Sequence, residues 1–411
     1  CVCAGETLRA ILQDGRPRKF MRILTALTYY RPHTSGLTIY AERLTHALAA
    51  RGHEVTVLTS QYEPDLPAEE KMNGVRVVRF PVILRVSKGV ISPTIGRIAT
   101  RLVKENDAMI LHLPQFDAAG IALRGRLYDK PTVITYHCDL SLPGGTFNWF
   151  VNQVVHVMNR LAGSFSDRIV TYTQDYADHS RYLTRYKDKL VIIPPPVELP
   201  LATTEEIKSF QARHNPDMKR PVIGMAARLA TEKGVEILLD ALPIVKQEFP
   251  NARVLFAGQY QDVLGEQEYL RRLSPQLEKF QADGSWEFLG VLTPQEMASF
   301  YPNLDVIVVP SLNSTEAFGL VQIEGMMNGV PSIASSLPGV RQPVRMTDMG
   351  EVVPIGDSAA LAEALIKIFK DPARYKGDPP AVARRFNPDT IAAEYEKLFE
   401  ELMAKQATPE A

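Results

Sequence analysis

The stretch MRILTALTYYRPHTSGLTIYAERLTHALAARGHEVTVL, Met21–Leu58, decides the fold. Arg22–Leu27 is a short apolar run of buried-strand type, and a loop holding Thr34-Ser35-Gly36-Leu37 follows it. Residues 38–51 place Ile39, Leu44 and Leu48 at helical spacing, and Gly52 stands where a left-handed residue closes a helix. Val55-Thr56-Val57-Leu58 is the next strand. Strand, loop, helix, glycine and strand make a βαβ unit, which implies a parallel sheet covered by helices.

The alternation continues outward. Strands are predicted at Ala108–Leu111, Thr132–Tyr136, Arg168–Thr171 and Leu190–Ile193. Pro194-Pro195-Pro196-Val197-Glu198-Leu199-Pro200 then interrupts the pattern. Successive prolines fix φ and remove donors, so this run reads as a stiff linker. Beyond it Val222–Met225, Arg253–Ala257, Trp286–Leu289, Val306–Val309 and Ser332–Ala334 read as strands, with helices near 234–248, 266–280, 294–301, 319–328 and 358–370. In the tail, 387–404, Asn387 precedes Pro388, and Ile391, Tyr395, Leu398 and Leu402 share one face. The expected architecture is α/β, with two doubly wound, Rossmann-like domains, 21–196 and 201–386, facing one cleft. Ligands in such sheets sit outside the carboxyl ends of the strands. The helix 387–404 is expected to cross back to the first domain. Residues 1–20 are expected to be a disordered extension and are left out of the fold reasoning.

Composition narrows the function. The 411 residues carry 46 Lys and Arg against 47 Asp and Glu, a net charge of -1. That balance argues against a polyanion-coating protein, and no nucleic-acid partner is expected. Three cysteines, Cys1, Cys3 and Cys138, build no disulfide scaffold, and Cys1-Val2-Cys3 lacks a second pair at zinc spacing. No apolar run is long enough to span a bilayer, and the first residues hold no signal-peptide core, so a cytoplasmic location is expected.

The absent motifs matter as much. No G-x-G-x-x-G follows the first strand and no G-x-x-x-x-G-K-[ST] occurs, which disfavours nicotinamide and P-loop enzymes. No Asp-x-Asp occurs, so no paired-carboxylate metal clamp on a diphosphate is expected. A bound diphosphate would need cations and helix N-termini. Arg228 and Lys233, five residues apart at a strand end just before a helix, offer both. The sharpest string is Ser314-Thr315-Glu316-Ala317-Phe318-Gly319-Leu320-Val321-Gln322-Ile323-Glu324-Gly325. Glu316 lies in the loop after a strand. Glu324 sits on the edge of an apolar helix face, where a carboxylate needs a partner or a ligand hydroxyl. Asn313, Ser314 or Thr315 is expected to cap that helix. The amides of Phe318, Gly319 and Leu320 are first-turn donors suited to a phosphate.

The glutamate pair separated by seven residues, with Phe-Gly-Leu inside it, Gly329-Val330-Pro331 after it and Arg-x4-Lys before it, resembles retaining glycosyltransferase family four, of the GT-B fold. The Ser35-Gly36 loop and Arg51-Gly52-His53-Glu54-Val55 are similar to that family's first domain, and the resemblance covers about 21–404. It implies a nucleotide-sugar donor, such as a UDP- or GDP-sugar, held by 201–386 without a metal or other cofactor. The acceptor, a glycolipid, polysaccharide or other glycan, would sit on 21–196. Arg228 and Lys233 would grip the diphosphate, Glu324 the ribose, and Glu316 the transferred sugar. Gly258 and Val291 would flank the base. Gly36 would let the first loop approach the diphosphate, and His137, at a strand end, would stand beside the sugar as a catalytic group with Glu316, Arg228 and Lys233. His112 also ends a strand.

The chain departs from the family pattern at four places: Ser35 and Ala317 replace glycines, Pro194-Pro195-Pro196 occupy the hinge, and Gln342 stands where glutamate is common. A sugar-nucleotide epimerase or a non-catalytic binder remains the alternative on this fold. Residues 81–106, with Arg85, Lys88, Arg97, Arg101 and Lys104 among Ile95, Ile98 and Leu102, suggest a basic amphipathic face for peripheral membrane contact. The apolar segment 144–160 suggests an acceptor groove.

Overall fold

The computed structural model describes residues 20–86, 89–139 and 146–407. The expected extension, apart from Phe20, lies outside the described residues, and so do Lys88 and the segment 140–145. The first sheet is built from β1 (Arg22–Ala26), β2 (Glu54–Gln61), β3 (Glu69–Met72) and β4 (Val75–Pro81). A small hairpin, β5 (Leu84–Val86) and β6 (Gly89–Ile91), stands apart from it. The sheet continues with β7 (Ala108–Leu113), β8 (Thr132–Tyr136), β9 (Arg168–Thr171) and β10 (Leu190–Ile192). The second sheet holds β11 (Val222–Ala226), β12 (Arg253–Ala257), β13 (Trp286–Gly290), β14 (Val306–Val309), β15 (Ser332–Ser335) and β16 (Gly350–Val353).

Among the described residues the strand orders are β10-β9-β8-β7-β1-β2-β4-β3 and β13-β12-β11-β14-β15-β16. Every pairing in both sheets is parallel except β3 with β4. The chain reverses its direction of winding between β1 and β7, and again between β11 and β14. Those two switch points are where this architecture opens crevices.

The helices of the first unit are α1 (Gly36–Ala50), α2 (Ile95–Glu105), α3 (Ala118–Leu127), α4 (Thr146–Phe165) and α5 (Gln174–His179). The second unit has α6 (Thr204–His214), α7 (Val235–Glu248), α8 (Gln267–Ala282), α9 (Pro294–Phe300), α10 (Leu320–Met327), α11 (Gln342–Thr347), α12 (Ser358–Lys370) and α13 (Pro379–Phe386). The last helix, α14 (Pro388–Ala407), packs against α1 of the first unit. The Tyr395 hydroxyl lies 2.9 Å from that of Tyr40 and 2.7 Å from Thr135 Oγ1. Arg51 reaches Glu396 at 2.7 Å and Asp389 at 2.6 Å. One core therefore runs from the first sheet through Phe318, Ile323 and Phe386 into α14. The prolines at 194–196 lead a run without secondary structure, tied down by Val197 N–H donating to the Phe386 carbonyl at 2.8 Å.

Two expectations need correction. The hairpin β3–β4 escapes the strand reading because Arg76 and Arg79 interrupt its apolar residues. Arg79 is nonetheless buried. Its guanidinium donates to the carbonyls of Pro67 and Arg31, each at 3.0 Å, and pairs with Glu70 at 2.5 Å. Asn73-Gly74, both at positive φ (47 and 88), was the available signal, since that dipeptide makes a tight hairpin turn. The second correction concerns α2. Ala99, Leu102 and Val103 are buried, and Ile95 and Ile98 pack on the core, so its apolar side faces inward. Arg97, Arg101, Lys104 and Glu105 face solvent, and Arg101 lies 3.8 Å from Glu105, so α2 offers a mixed charged face without apolar surface.

Candidate active site

The second sheet brings the cations and the glutamates together at the carboxyl ends of β11 and β14. After β11 the chain passes through Arg228, makes a short 3₁₀ turn at Thr231–Lys233, and enters α7. Lys233 Nζ lies 2.6 Å from Glu316 Oε2, each side chain about one-fifth exposed (20% and 21%). Arg228 pairs with Glu232 at 3.2 Å and keeps nearly half its side chain in solvent. It also faces the other unit: burial lowers the pKa of His33, and the Arg228 charge lowers it further. Arg228 thus stands across the cleft from the first loop, where Gly36 opens α1 with free space beside its Cα. Ser35 has a local task. It caps α1 by accepting from Thr38 N–H at 3.2 Å.

The start of α10 differs from the expected cap. The Asn313 side chain is used locally, accepting from the Thr315 N–H at 3.1 Å and the Thr315 hydroxyl at 2.6 Å. The helix starts instead from Gly319 at φ 81, with no capping side chain. Glycine is needed there because that conformation penalises a Cβ. Among the described residues the amides of Phe318, Gly319 and Leu320 donate to no protein acceptor, so the positive end of the helix stays open beside Lys233. The Phe318 ring itself is core, 1% exposed, near Tyr172 and Phe386. Gly258, at φ 139, lies so close to the Ala227 carbonyl that a side chain would collide with it. Val291, 67% exposed, stands at the end of β13.

Glu324 is buried, and both of its oxygens are engaged. Oε1 accepts from Arg43 at 2.8 Å, and Oε2 accepts from the Tyr301 hydroxyl at 2.7 Å. Arg43 comes from α1 and also donates to the carbonyls of Pro196 and Glu198 in the linker. A carboxylate offers about four acceptor sites, so two sites remain for the hydroxyls of a ligand.

His137 is less accessible than its strand-end position suggests. Its Nε2 lies 2.8 Å from His112 Nδ1, and its Nδ1 is hydrogen-bonded to the Tyr172 hydroxyl. The ring therefore reaches the cleft through Tyr172. The nearby Glu316 charge adds to the burial that raises the pKa of Tyr172. Burial keeps both histidines neutral, His112 down to about 3. The unfolded chain protonates them below about pH 6.5, so the fold loses stability as pH falls from there. Asp117, whose carboxyl burial raises to about 6, works in the opposite sense over part of that range. The difference between wild type and His112→Gln isolates the contribution of His112. Urea midpoints should fall less steeply in the variant between pH 6.5 and 4, and parallel curves would contradict this reading.

Residues that the sequence reasoning passed over close the cleft. Asp175, at the start of α5, accepts from Arg341 at 2.6 and 2.9 Å and from the Gly339 amide at 2.9 Å. Burial opposes its charge, but these bonds hold its carboxyl below the usual range. Gln342, the departure noted above, adds to the lowering. The Tyr176 hydroxyl accepts from the Asp139 amide at 2.6 Å and donates to the Ser314 carbonyl at 3.2 Å. Tyr172 and Asp175 each stand just past a strand end, a signal as good as that of His137.

Two facing, doubly wound units with cations and open helix amides at one switch point define a GT-B glycosyltransferase. The comparisons agree. Residues 206–378 match the family described as glycosyl transferases group 1, and residues 34–200 match glycosyltransferase family 4. The chain belongs to this family. It is 26% identical to the phosphatidyl-myo-inositol mannosyltransferase of Mycobacterium leprae over 92% of this chain and 96% of that one. It is 24% identical to the GDP-mannose-dependent alpha-(1-6)-phosphatidylinositol monomannoside mannosyltransferase of Mycolicibacterium smegmatis, over 84% and 88% of the two chains. The fold matches Anabaena HepE in complex with UDP and glucose, with a TM-score of 0.73 at 19% identity over 92% and 99% of the two chains. The protein is a group 1 glycosyltransferase.

Proposed function

We propose that the enzyme transfers a hexose, with mannose first in line, from a nucleotide-diphosphate sugar to the inositol headgroup of a phospholipid, retaining the anomeric configuration and using no metal. The supporting observation is the Lys233–Glu316 pair beside the open amides of Gly319 and Leu320. Cleaving the bond between sugar and phosphate leaves negative charge on the diphosphate and positive charge on the sugar. Lys233, Arg228 and the amides stabilise the leaving group, and Glu316 stabilises or orients the sugar. The acceptor hydroxyl attacks from the face the diphosphate leaves, and its proton passes to the departing phosphate oxygen. Glu324 orients the ribose, and Gly258 and Val291 border the base. His137 acts behind Tyr172. The names of the relatives support mannose, GDP and the inositol lipid. The reading also places the enzyme in the cytoplasm, at the inner membrane face.

The test is incubation with radiolabelled GDP-mannose and phosphatidylinositol. The expected product is a lipid-soluble α-mannoside, formed equally in EDTA. A β-linked product would refute retention, and activity lost in EDTA and restored by magnesium would refute metal independence. Isomerised nucleotide sugar in place of transfer would favour an epimerase.

A further inference from the structure

The short helix α5 belongs to the first unit, yet it touches two loops of the second. These are 310–319, which follows β14 and carries Glu316, and 336–341, which follows β15. Thr173 fixes the start of α5 by accepting from the Tyr176 N–H at 3.1 Å, and Asp175 and Tyr176 then reach across.

Asp175 grips the second of these loops. Arg341 meets its carboxylate as a two-pronged pair at 2.6 and 2.9 Å and also donates to the Ser336 carbonyl at 3.0 Å, at the base of the loop. The Gly339 amide adds a bond at 2.9 Å. The side chains of Asp175 and Arg341 are 15% and 19% exposed, so the pair is shielded and bidentate, unlike an open surface pair. Gly339 in turn is packed onto the Glu316 loop. A Cβ at Gly339 would lie 2.1 Å from the Ala317 carbonyl oxygen and 3.2 Å from the Tyr176 Cβ. Tyr176, Gly339 and Ala317 are therefore three layers in contact, with no room for a side chain between them.

Tyr176 also holds the Glu316 loop directly. Its ring is buried, and its hydroxyl donates to the Ser314 carbonyl at 3.2 Å, two residues before Glu316. The same hydroxyl accepts from the Asp139 amide at 2.6 Å. Asp139 is itself anchored, since its Oδ1 accepts from the Tyr136 hydroxyl at 2.7 Å and from Ser180 at 2.8 Å. It stands two residues after His137, so one hydroxyl ties the end of β8 to the loop of Glu316. Ala317 and Gln342, two of the departures from the family pattern, both fall at this contact.

We propose that Asp175 and Tyr176 are positioning residues for sugar transfer: from the first unit they hold the Glu316 loop in register with the strand end of His137, and they govern turnover rather than nucleotide binding. This rests on the assignment of Glu316 to the transferred sugar. A displacement of about 1 Å at such a group costs up to about 100-fold in rate, whereas Arg228, Glu324 and Gly258 make no contact with α5.

The test uses the full chain, and hydrogen exchange without donor comes first. In Tyr176→Phe, which keeps the ring, and in Asp175→Asn, the amides of 314–319 and 337–341 should exchange several-fold faster than in wild type, while those of α7 and β11 stay unchanged. With GDP-mannose and phosphatidylinositol, kcat should fall on the order of 10- to 100-fold in each variant, with GDP affinity unchanged and an unfolding midpoint close to that of wild type. Arg341→Met should match Asp175→Asn, and the double variant should be no slower than the slower single, because the two side chains act as one pair. Unchanged exchange in both loops would overturn the proposal, and so would an unchanged kcat. A loss of kcat matched by an equal loss of GDP affinity and a lowered unfolding midpoint would overturn it too, since the residues would then only support the fold. A wild type that transfers no mannose would count against the donor assignment, and the exchange result would still decide the positioning.

Discussion

Lys233→Ala should lower kcat/KM for sugar transfer by on the order of 100- to 1000-fold, the scale seen when one stabiliser of developing negative charge is removed. Lys233 holds Glu316 at 2.6 Å in a partly shielded position. Its loss removes a cation from the leaving diphosphate and leaves the Glu316 carboxylate unneutralised beside it. Both effects grow as charge develops, so kcat should fall more than KM rises. Arg228→Ala should cost about 100-fold, because its side chain is nearly half exposed and already paired with Glu232. Glu232→Ala, which removes only the partner of Arg228, should change little. Steady-state kinetics on the four proteins decides this, and an unchanged kcat/KM in Lys233→Ala would remove it from the diphosphate site.

Arg43→Met should destabilise the fold by about 3–5 kcal/mol, the usual effect of stripping one member from a buried ion pair. The side chains of Arg43 and Glu324 are 10% and 9% exposed. Without Arg43, Glu324 keeps only the Tyr301 hydroxyl, and the carbonyls of Pro196 and Glu198 lose their donor. The variant therefore loosens α1, the linker and α10 together. Arg43→Met/Glu324→Gln should recover much of the stability, since no charge is left stranded, but not nucleotide affinity. Urea unfolding measures the first effect and nucleotide titration the second. A single variant as stable as wild type would show that the pair holds nothing together.

The parallel strands were legible because burial on both faces leaves continuous apolar runs such as Val306–Val309. The β3–β4 hairpin was not, because a buried Arg79 resembles a surface residue until its carbonyl and Glu70 partners are seen. The donor-side string 314–325 could be read locally, since its loop and helix are contiguous. Its partners could not. Arg43 lies 281 residues from Glu324, and Asp175 lies 166 from Arg341, separations at which no spacing rule operates. The same holds for His137, whose position at a strand end is visible in sequence while its engagement by His112 and Tyr172 is a product of packing.

The most direct measurement is calorimetric titration of GDP and UDP into wild type and Lys233→Ala. The account predicts one-to-one binding of one nucleotide to wild type and at least a tenfold loss of affinity in the variant. Absence of heat with either nucleotide in folded wild type, or equal affinity in the variant, would contradict it.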